Sequence, residues 1–328
     1  MTQYKSIHLV DPALLPLLEI LPKFELSKDV LAAVRANPLA IPDNGDGLGK
    51  VDITRKIISG PAGAPDIPIL IYRPLRSTGS MGCILHIHGG GYVLGSAEAF
   101  EPIHRAMAAD LNCCIASVNY RLAPETPFPG AVEDCYAALR WVFESANRLG
   151  IDSSRIGVMG ESAGGGLAAA LALLARDRAE YSLAFQHLIY PMLDDRTCVR
   201  EDANPYTGEF LWTADKNVFG WTSLLGALPG SDGVSYYAAP ARALDLSCLP
   251  RTFISVGTLD LFLEEDLEYA RRLMRGGVPV ELHVYPGAFH AFDIAPEAPV
   301  AVAARLHSRN ALRRALDETA VGKGKNKA

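Results

Sequence analysis

The sequence predicts an α/β fold in which helices cover both faces of a mostly parallel β-sheet. Short apolar runs typical of buried strands alternate with longer segments of helical periodicity from about residue 83 to residue 317. The strand-like runs are apolar throughout, as Cys83-Ile-Leu-His-Ile87 illustrates. Strands of this kind belong to sheets that are covered on both sides.

Eight strands and five core helices are expected. The strand-like runs are 51–58, 67–73, 83–87, 113–118, 155–159, 185–190, 251–256 and 279–285, and the helix-like runs are 98–110, 130–148, 163–176, 262–275 and 299–317. Only Gly60-Pro-Ala-Gly-Ala-Pro65 separates the first two strands, which is too short for a crossover helix. We therefore expect these two strands to form an antiparallel hairpin.

Composition and charge exclude several classes of protein. The chain has 328 residues, of which 49% are hydrophobic and 21% charged, and its net charge of -6 offers no basic surface for nucleic acid. The N-terminus lacks a signal-peptide pattern, and no apolar stretch is long enough for a membrane span. The six cysteines form no C-x-x-C pair, so we expect buried, reduced thiols and a cytoplasmic location.

Ser162 is the first candidate for chemistry. It lies in Gly160-Glu-Ser-Ala-Gly164, between a strand-like run and a helix-like run. A serine between two glycines at such a turn indicates a nucleophile elbow, because the turn leaves no room for a Cβ at either glycine and exposes the hydroxyl above the sheet. The alternative interpretation is a serine that caps the following helix.

A glycine loop, His88-Gly-Gly-Gly91, follows the third strand. Consecutive glycines let the backbone approach a ligand closely and direct N–H groups at one point, where the negative oxygen of an acyl-transfer intermediate could bind. The matching donor is the N–H of the residue after the nucleophile, Ala163. The alternatives are a flexible loop or a phosphate-binding loop, but the Lys-Ser/Thr that the latter requires is absent.

His290 and Asp260 are the candidates for the base and its acidic partner. His290 lies in a loop after the eighth strand, and Asp260 follows the seventh. The alternatives are an ordinary loop histidine and a helix N-cap aspartate. The less well placed acids are Asp245, Asp266 and Asp293. The candidates and the glycine loop follow strands 3, 5, 7 and 8, where sites form in parallel sheets, and their order Ser…Asp…His is that of α/β-hydrolases.

Five motifs together resemble the hormone-sensitive-lipase-like (family IV) bacterial carboxylesterases. They are HGGGY at 88–92, YRLAPE at 120–125, PFPGAVEDC at 127–135, GESAGG at 160–165 and FHAF at 289–292, and the resemblance extends from about residue 50 to 317. It implies an α/β-hydrolase fold with a helical cap. It also implies that Ser162 is the nucleophile, His290 the base and Asp260 the third member of the triad. By the same resemblance, the oxyanion donors are the N–H groups of Gly89, Gly90 and Ala163.

Two positions depart from the family pattern. Glu161 stands where aspartate is common, and Leu261-Phe-Leu-Glu-Glu265 stands where Pro-Leu-x-Asp-Glu is frequent. Both positions keep an acidic residue, so we expect these departures to have little effect on catalysis.

The resemblance divides the chain into a cap and a core. The predicted cap consists of residues 1–48 and 193–248, the core consists of 49–192 and 249–318, and 319–328 form a disordered tail. The residues expected to line the substrate pocket are Tyr92 and Leu94 after the glycine loop, and Leu211, Trp212 and Phe219 in the cap.

The predicted reaction is hydrolysis of short- to medium-chain esters through an acyl-enzyme on Ser162. No metal or organic cofactor is implied, because the sequence has no H-E-x-x-H, Cys/His cluster or dinucleotide fingerprint. Lactone, carbamate or amide hydrolysis remains open, because these reactions share a tetrahedral intermediate. A non-catalytic binder resembling the plant gibberellin receptors is disfavoured, because those receptors lack the catalytic histidine whereas this chain retains His290. The last strand could be a sheet edge that pairs two copies into a homodimer.

Overall fold

A computed structural model of the chain describes residues 4–21, 25–38, 41, 43, 45–76 and 79–317. An eight-stranded sheet with the order β1-β2-β4-β3-β5-β6-β7-β8 forms its centre. The strands are β1 (Val51–Ile58), β2 (Ile67–Pro74), β3 (Met81–Ile87), β4 (Cys114–Val118), β5 (Ile151–Glu161), β6 (Phe185–Ile189), β7 (Arg251–Gly257) and β8 (Val280–Tyr285). The predicted fold class is confirmed, whereas the predicted disordered tail lies outside the described residues.

The pairing of the strands follows the prediction. β1 and β2 form the expected antiparallel hairpin, and β2 is also antiparallel to β4. The other six strands, β3 to β8, are mutually parallel. β3 lies between β4 and β5 and is buried along its whole length. β8 ends the sheet order, so the predicted edge is confirmed; the homodimer stays a prediction.

Helices pack on both faces of the sheet. The α-helices of the described residues are α1 (Leu15–Ile20), α2 (Lys28–Ala36), α3 (Glu101–Leu111), α4 (Gly130–Leu149), α5 (Ala163–Arg178), α6 (Ala214–Leu225), α7 (Leu263–Arg275) and α8 (Pro299–Asp317). One face packs against α4, α5 and α7, and the other packs against α3 and α8. Among the described residues, no helix is both long and apolar enough to cross a lipid bilayer.

Two details differ from the sequence expectations. β5 begins at Ile151, four residues before the predicted start, because Met81 pairs with Ile151 and an irregularity in the β3–β5 ladder then accommodates the intervening polar residues. All six cysteines are unpaired, but the expectation of buried thiols is wrong for Cys248, which is exposed in a turn before β7, and Cys198 is only half-buried.

The N-terminal segment packs on the far end of the chain. Leu14 and Leu17 belong to an apolar cluster with Phe210, Phe289 and Phe292. The carboxylate of Glu209 accepts hydrogen bonds from the backbone and hydroxyl of Ser6. Residues 4–21 therefore support both the region of Phe210 and the loop after β8.

A buried ion pair joins two of the motifs, YRLAPE and PFPGAVEDC. The Asp134 carboxylate on α4 accepts hydrogen bonds from the backbone N–H, Nε and Nη2 of Arg121 at 2.9, 2.8 and 2.7 Å. The Asp134 side chain is 0% exposed and the Arg121 side chain 28% exposed. Because all three donors converge on one carboxylate, this pair fixes the segment after β4 against α4.

Asp134→Ala is expected to lower the free energy of unfolding by about 3 kcal/mol, because it leaves a largely buried guanidinium without its partner. Urea denaturation measures this loss. The matched control is Glu268→Ala, which removes an exposed pair with Arg271 (50% and 56% exposed). Such exposed pairs contribute less than about 1 kcal/mol. Equal losses in the two variants would contradict the assigned role of Asp134.

Candidate active site

Ser162 lies on the sharp turn between β5 and α5. Its backbone has φ +56° and ψ −122°, an uncommon conformation for a residue with a side chain. A Cβ at Gly160 would overlap the carbonyl of Gly164, and a Cβ at Gly164 would overlap the carbonyl of Ile87. The two glycines are therefore required by close backbone contacts, as the elbow interpretation predicts.

Hydrogen bonds to the backbone hold this turn in place. The Ser162 N–H donates to the carbonyl of Ile189 at 2.9 Å, and the Ser162 carbonyl accepts from Met192 and Gly166. The Ser162 side chain makes no hydrogen bond that caps α5, so the interpretation as a helix cap is wrong.

The structure brings Ser162, His290 and Asp260 together. Nε2 of His290 lies 2.9 Å from Oγ of Ser162, and Nδ1 of His290 lies 2.9 Å from Oδ2 of Asp260. All three side chains are buried. With the proton on Nδ1, the imidazole donates to Asp260 and its Nε2 accepts the Ser162 hydroxyl. This is the arrangement that transfers a proton from a serine to a histidine.

Asp260 also holds the turn before α7, although the interpretation of Asp260 as the N-cap of that helix is wrong, because the N-cap is Phe262. Its Oδ1 accepts a hydrogen bond from the backbone N–H of Phe262 at 3.0 Å, just before α7, while Oδ2 contacts the imidazole. One carboxylate thus holds the turn that leads into α7 and orients His290. The rival acids make other contacts: Asp245 accepts from the backbone of Ser247, and Asp293 accepts from a tyrosine. Asp266 is buried on α7, and its carboxyl oxygens have no hydrogen-bond partner among the described residues.

Three aromatic rings surround the imidazole of His290. The ring centroids of Tyr190, Phe262 and Trp212 lie 4.8, 5.2 and 6.3 Å from that of His290. Tyr190 donates its hydroxyl to Oδ1 of Asp293 at 2.8 Å, and burial raises the pKa of this phenol, which therefore keeps its proton. No sequence motif indicates Tyr190 or Phe262, although Tyr190 directly follows β6, at a strand end where site residues are expected.

The glycine loop after β3 lies against the elbow. A Cβ at Gly89 would come within 2.9 Å of the Glu161 carbonyl oxygen and 3.4 Å of Cβ of Ser162. Gly90 and Gly91 have φ values of +121° and +59°, a region that favours glycine. Tyr120 fixes the start of the loop by donating to the His88 carbonyl at 2.9 Å. The segments of Gly89, Gly90 and Ala163 therefore meet beside the Ser162 side chain.

The five predicted pocket residues differ in their burial and in the groups that they contact. Trp212 adjoins both the imidazole and Gly91, where its indole fills the space that a Cβ would need. Tyr92 is buried, packs on Trp221 and donates to the Met192 carbonyl at 3.1 Å. Leu94, Leu211 and Phe219 are half-buried, with Leu94 beside Gly90.

Comparisons with known proteins agree with the observed fold. A model described as an alpha/beta hydrolase fold matches residues 84–294. The chain is similar to carboxylesterase NlhH of Mycobacterium tuberculosis, with 34% identity over 316 residues, 94% of this chain and 96% of the relative. It is 36% identical over 238 residues to an arylesterase of Saccharolobus solfataricus, covering 69% of this chain and 73% of the relative. A solved structure titled bacterial heroin esterase aligns with a TM-score of 0.85 and 37% identity, over 95% of this chain and 99% of that one.

Proposed function

Because the chain belongs to the alpha/beta hydrolase family and is a carboxylic ester hydrolase, we propose that it cleaves short- to medium-chain esters through Ser162, His290 and Asp260. The observation that carries the proposal is the position of His290. Its two ring nitrogens each lie 2.9 Å from an oxygen, one of Ser162 and one of Asp260.

The first half of the reaction forms an ester on Ser162. Oγ attacks the carbonyl carbon of the substrate while its proton passes to Nε2 of His290. The carboxylate of Asp260 stabilises the imidazolium that results. The carbonyl oxygen becomes negative, and the N–H groups of Gly89, Gly90 and Ala163 stabilise it. His290 then gives the proton to the departing alcohol.

The second half releases the acid. Water loses a proton to His290 and attacks the acyl carbon, and a second oxyanion forms at the same N–H groups. When this intermediate collapses, the bond between the acyl carbon and Oγ of Ser162 breaks and the acid leaves. His290 returns the proton to Oγ. Apart from the ester and the water, the groups used in these steps belong to the chain.

Trp212 supports a preference for small acyl groups. Its indole lies between Gly91 and His290, and its Nε1 donates to Oδ1 of Asn217 at 3.1 Å, which fixes the ring. A buried ring that is held in this way limits the space above Ser162. Because an arylesterase is among the similar proteins, aryl esters are the first substrates to test.

Hydrolysis of p-nitrophenyl esters from acetate to palmitate tests the proposed function. We expect kcat/KM to peak at a short chain and Ser162→Ala to lose at least about 10⁴-fold in kcat, because the variant retains only the binding and oxyanion contributions. The amide isostere of the acetate ester, p-nitroacetanilide, is the comparison for reaction type. Faster cleavage of this amide, or equal rates for Ser162→Ala and the unmodified protein, would contradict the proposal.

Trp212→Ala is expected to shift the acyl preference toward longer chains. Removing the indole opens space beside Gly91, so the ratio of kcat/KM for the octanoate ester to that for the acetate ester should rise by about tenfold or more. Trp141→Ala is the control, because Trp141 lies on α4, where Arg148 stacks on it, away from His290. The same change of ratio in both variants, or in neither, would remove Trp212 as the boundary of the acyl pocket.

A further inference from the structure

A row of three polar side chains crosses the ends of β4, β3 and β5. The side-chain Oε2 of Glu161 lies 2.9 Å from Nε2 of His86, and Nδ1 of His86 lies 2.9 Å from Oγ of Ser117. His86 and Ser117 are completely buried, and the Glu161 side chain is 12% exposed. The mechanism proposed above uses none of these three groups.

The row connects the two segments that form the site. Glu161 directly precedes Ser162, and His86 lies on β3 just before the glycine loop. The Glu161–His86 hydrogen bond therefore joins the strand that directly precedes the nucleophile to the strand that precedes Gly89. These segments already touch, because a Cβ at Gly89 would come within 2.9 Å of the Glu161 carbonyl oxygen. A change in this bond would alter the distance between Oγ of Ser162 and the oxyanion donors.

Burial determines where the protons lie. Burial raises the pKa of Glu161 to about 8 and lowers the pKa of His86 to about 3. At neutral pH the Glu161 carboxyl therefore keeps its proton and donates it to Nε2 of His86. The Nδ1–H of the neutral imidazole then donates to Oγ of Ser117. Each of the two hydrogen bonds in the row then has one donor and one acceptor, and no unpaired charge is buried.

We propose that Glu161 is a positioning residue that acts as an un-ionised carboxylic acid, whose O–H donates to His86 and holds the nucleophile elbow against the oxyanion loop. This inference rests on the proposed function for its effect on catalysis. It assigns a role to the position where the family commonly has aspartate.

The surroundings of Glu161 make its ionisation unfavourable for the reaction. The titratable groups that face it are His86 on β3, Tyr120 after β4, Tyr190 after β6 and Asp293 in the loop after His290. Burial is the main reason that the pKa values of Tyr120, Tyr190 and Asp293 are raised, and the negative charge of an ionised Glu161 raises them further. A carboxylate here would oppose the negative oxygen that forms next to Ser162.

The first test is the pH dependence of kcat and KM for p-nitrophenyl acetate, with Ser162→Ala measuring the background. In the unmodified protein, kcat should fall above about pH 8, where Glu161 loses its proton. Glu161→Gln keeps a donor for His86 and cannot ionise. Its kcat near neutral pH should stay within about threefold of the unmodified protein, and the alkaline fall should disappear. Glu161→Met removes the donor at similar size, so kcat should fall by about tenfold or more while KM changes little.

Two kinetic outcomes would overturn the proposal. In the first, Glu161→Gln loses as much kcat at neutral pH as Glu161→Met, which would mean that a carboxylate is required. In the second, the alkaline fall persists in Glu161→Gln but disappears in Asp293→Asn, which would assign the titration to Asp293.

A second measurement does not depend on activity. The folded protein holds the Glu161 proton up to about pH 8, whereas the unfolded chain releases it near the ordinary value of 4.5. Between these values the folded state binds more protons, so this group makes the protein less stable as pH rises. From about pH 5 to about pH 9, the folding equilibrium constant of the unmodified protein should fall by more than about tenfold relative to Glu161→Gln. No relative change would overturn the proposal. A protein that shows this fall but cleaves no ester would instead contradict the proposed function.

Discussion

The close approach of three backbone segments at the nucleophile elbow is the constraint on which the site depends. Gly160 and Gly164 touch across the turn, Gly164 also meets the end of β3, and Ser162 between them has a positive φ. Larger residues at the two glycines would separate β5 from α5 and move the Ser162 hydroxyl. The strain at Ser162 is maintained by its hydrogen bonds to Ile189 and Met192.

The other parts of the site are arranged around this fixed point. His290 lies in a loop outside the sheet, and its position comes from packing rather than from a strand. Asp260, three aromatic rings and the apolar cluster of the N-terminal segment restrain the loop from different sides. Residues far apart in the chain thus hold one imidazole within hydrogen-bond distance of Ser162, which is what preorganisation for proton transfer requires.

Much of the fold and the centre of the site could be predicted from the sequence. Buried parallel strands are continuous apolar runs, and the glycines of an elbow have a steric cause, so both leave local patterns. Contacts between distant segments leave none, which is why Tyr190, Phe262 and the hydrogen bond between Glu161 and His86 required the structure. Asp260 shows a different difficulty, because its sequence position is compatible with a helix cap as well as with a triad. The structure shows that one of its oxygens holds the turn before α7 while the other contacts His290.

The identity of the nucleophile is tested most directly by covalent labelling with diethyl p-nitrophenyl phosphate, followed by peptide mass mapping. An activated serine attacks this phosphate ester and keeps the diethylphosphoryl group. We expect one label per chain, located on Ser162, with release of one p-nitrophenol and loss of esterase activity in parallel. Labelling of His290→Ala should be much slower, because Ser162 then has no base. A stoichiometric label on another residue, or full labelling without loss of activity, would contradict the assignment of Ser162 as the nucleophile.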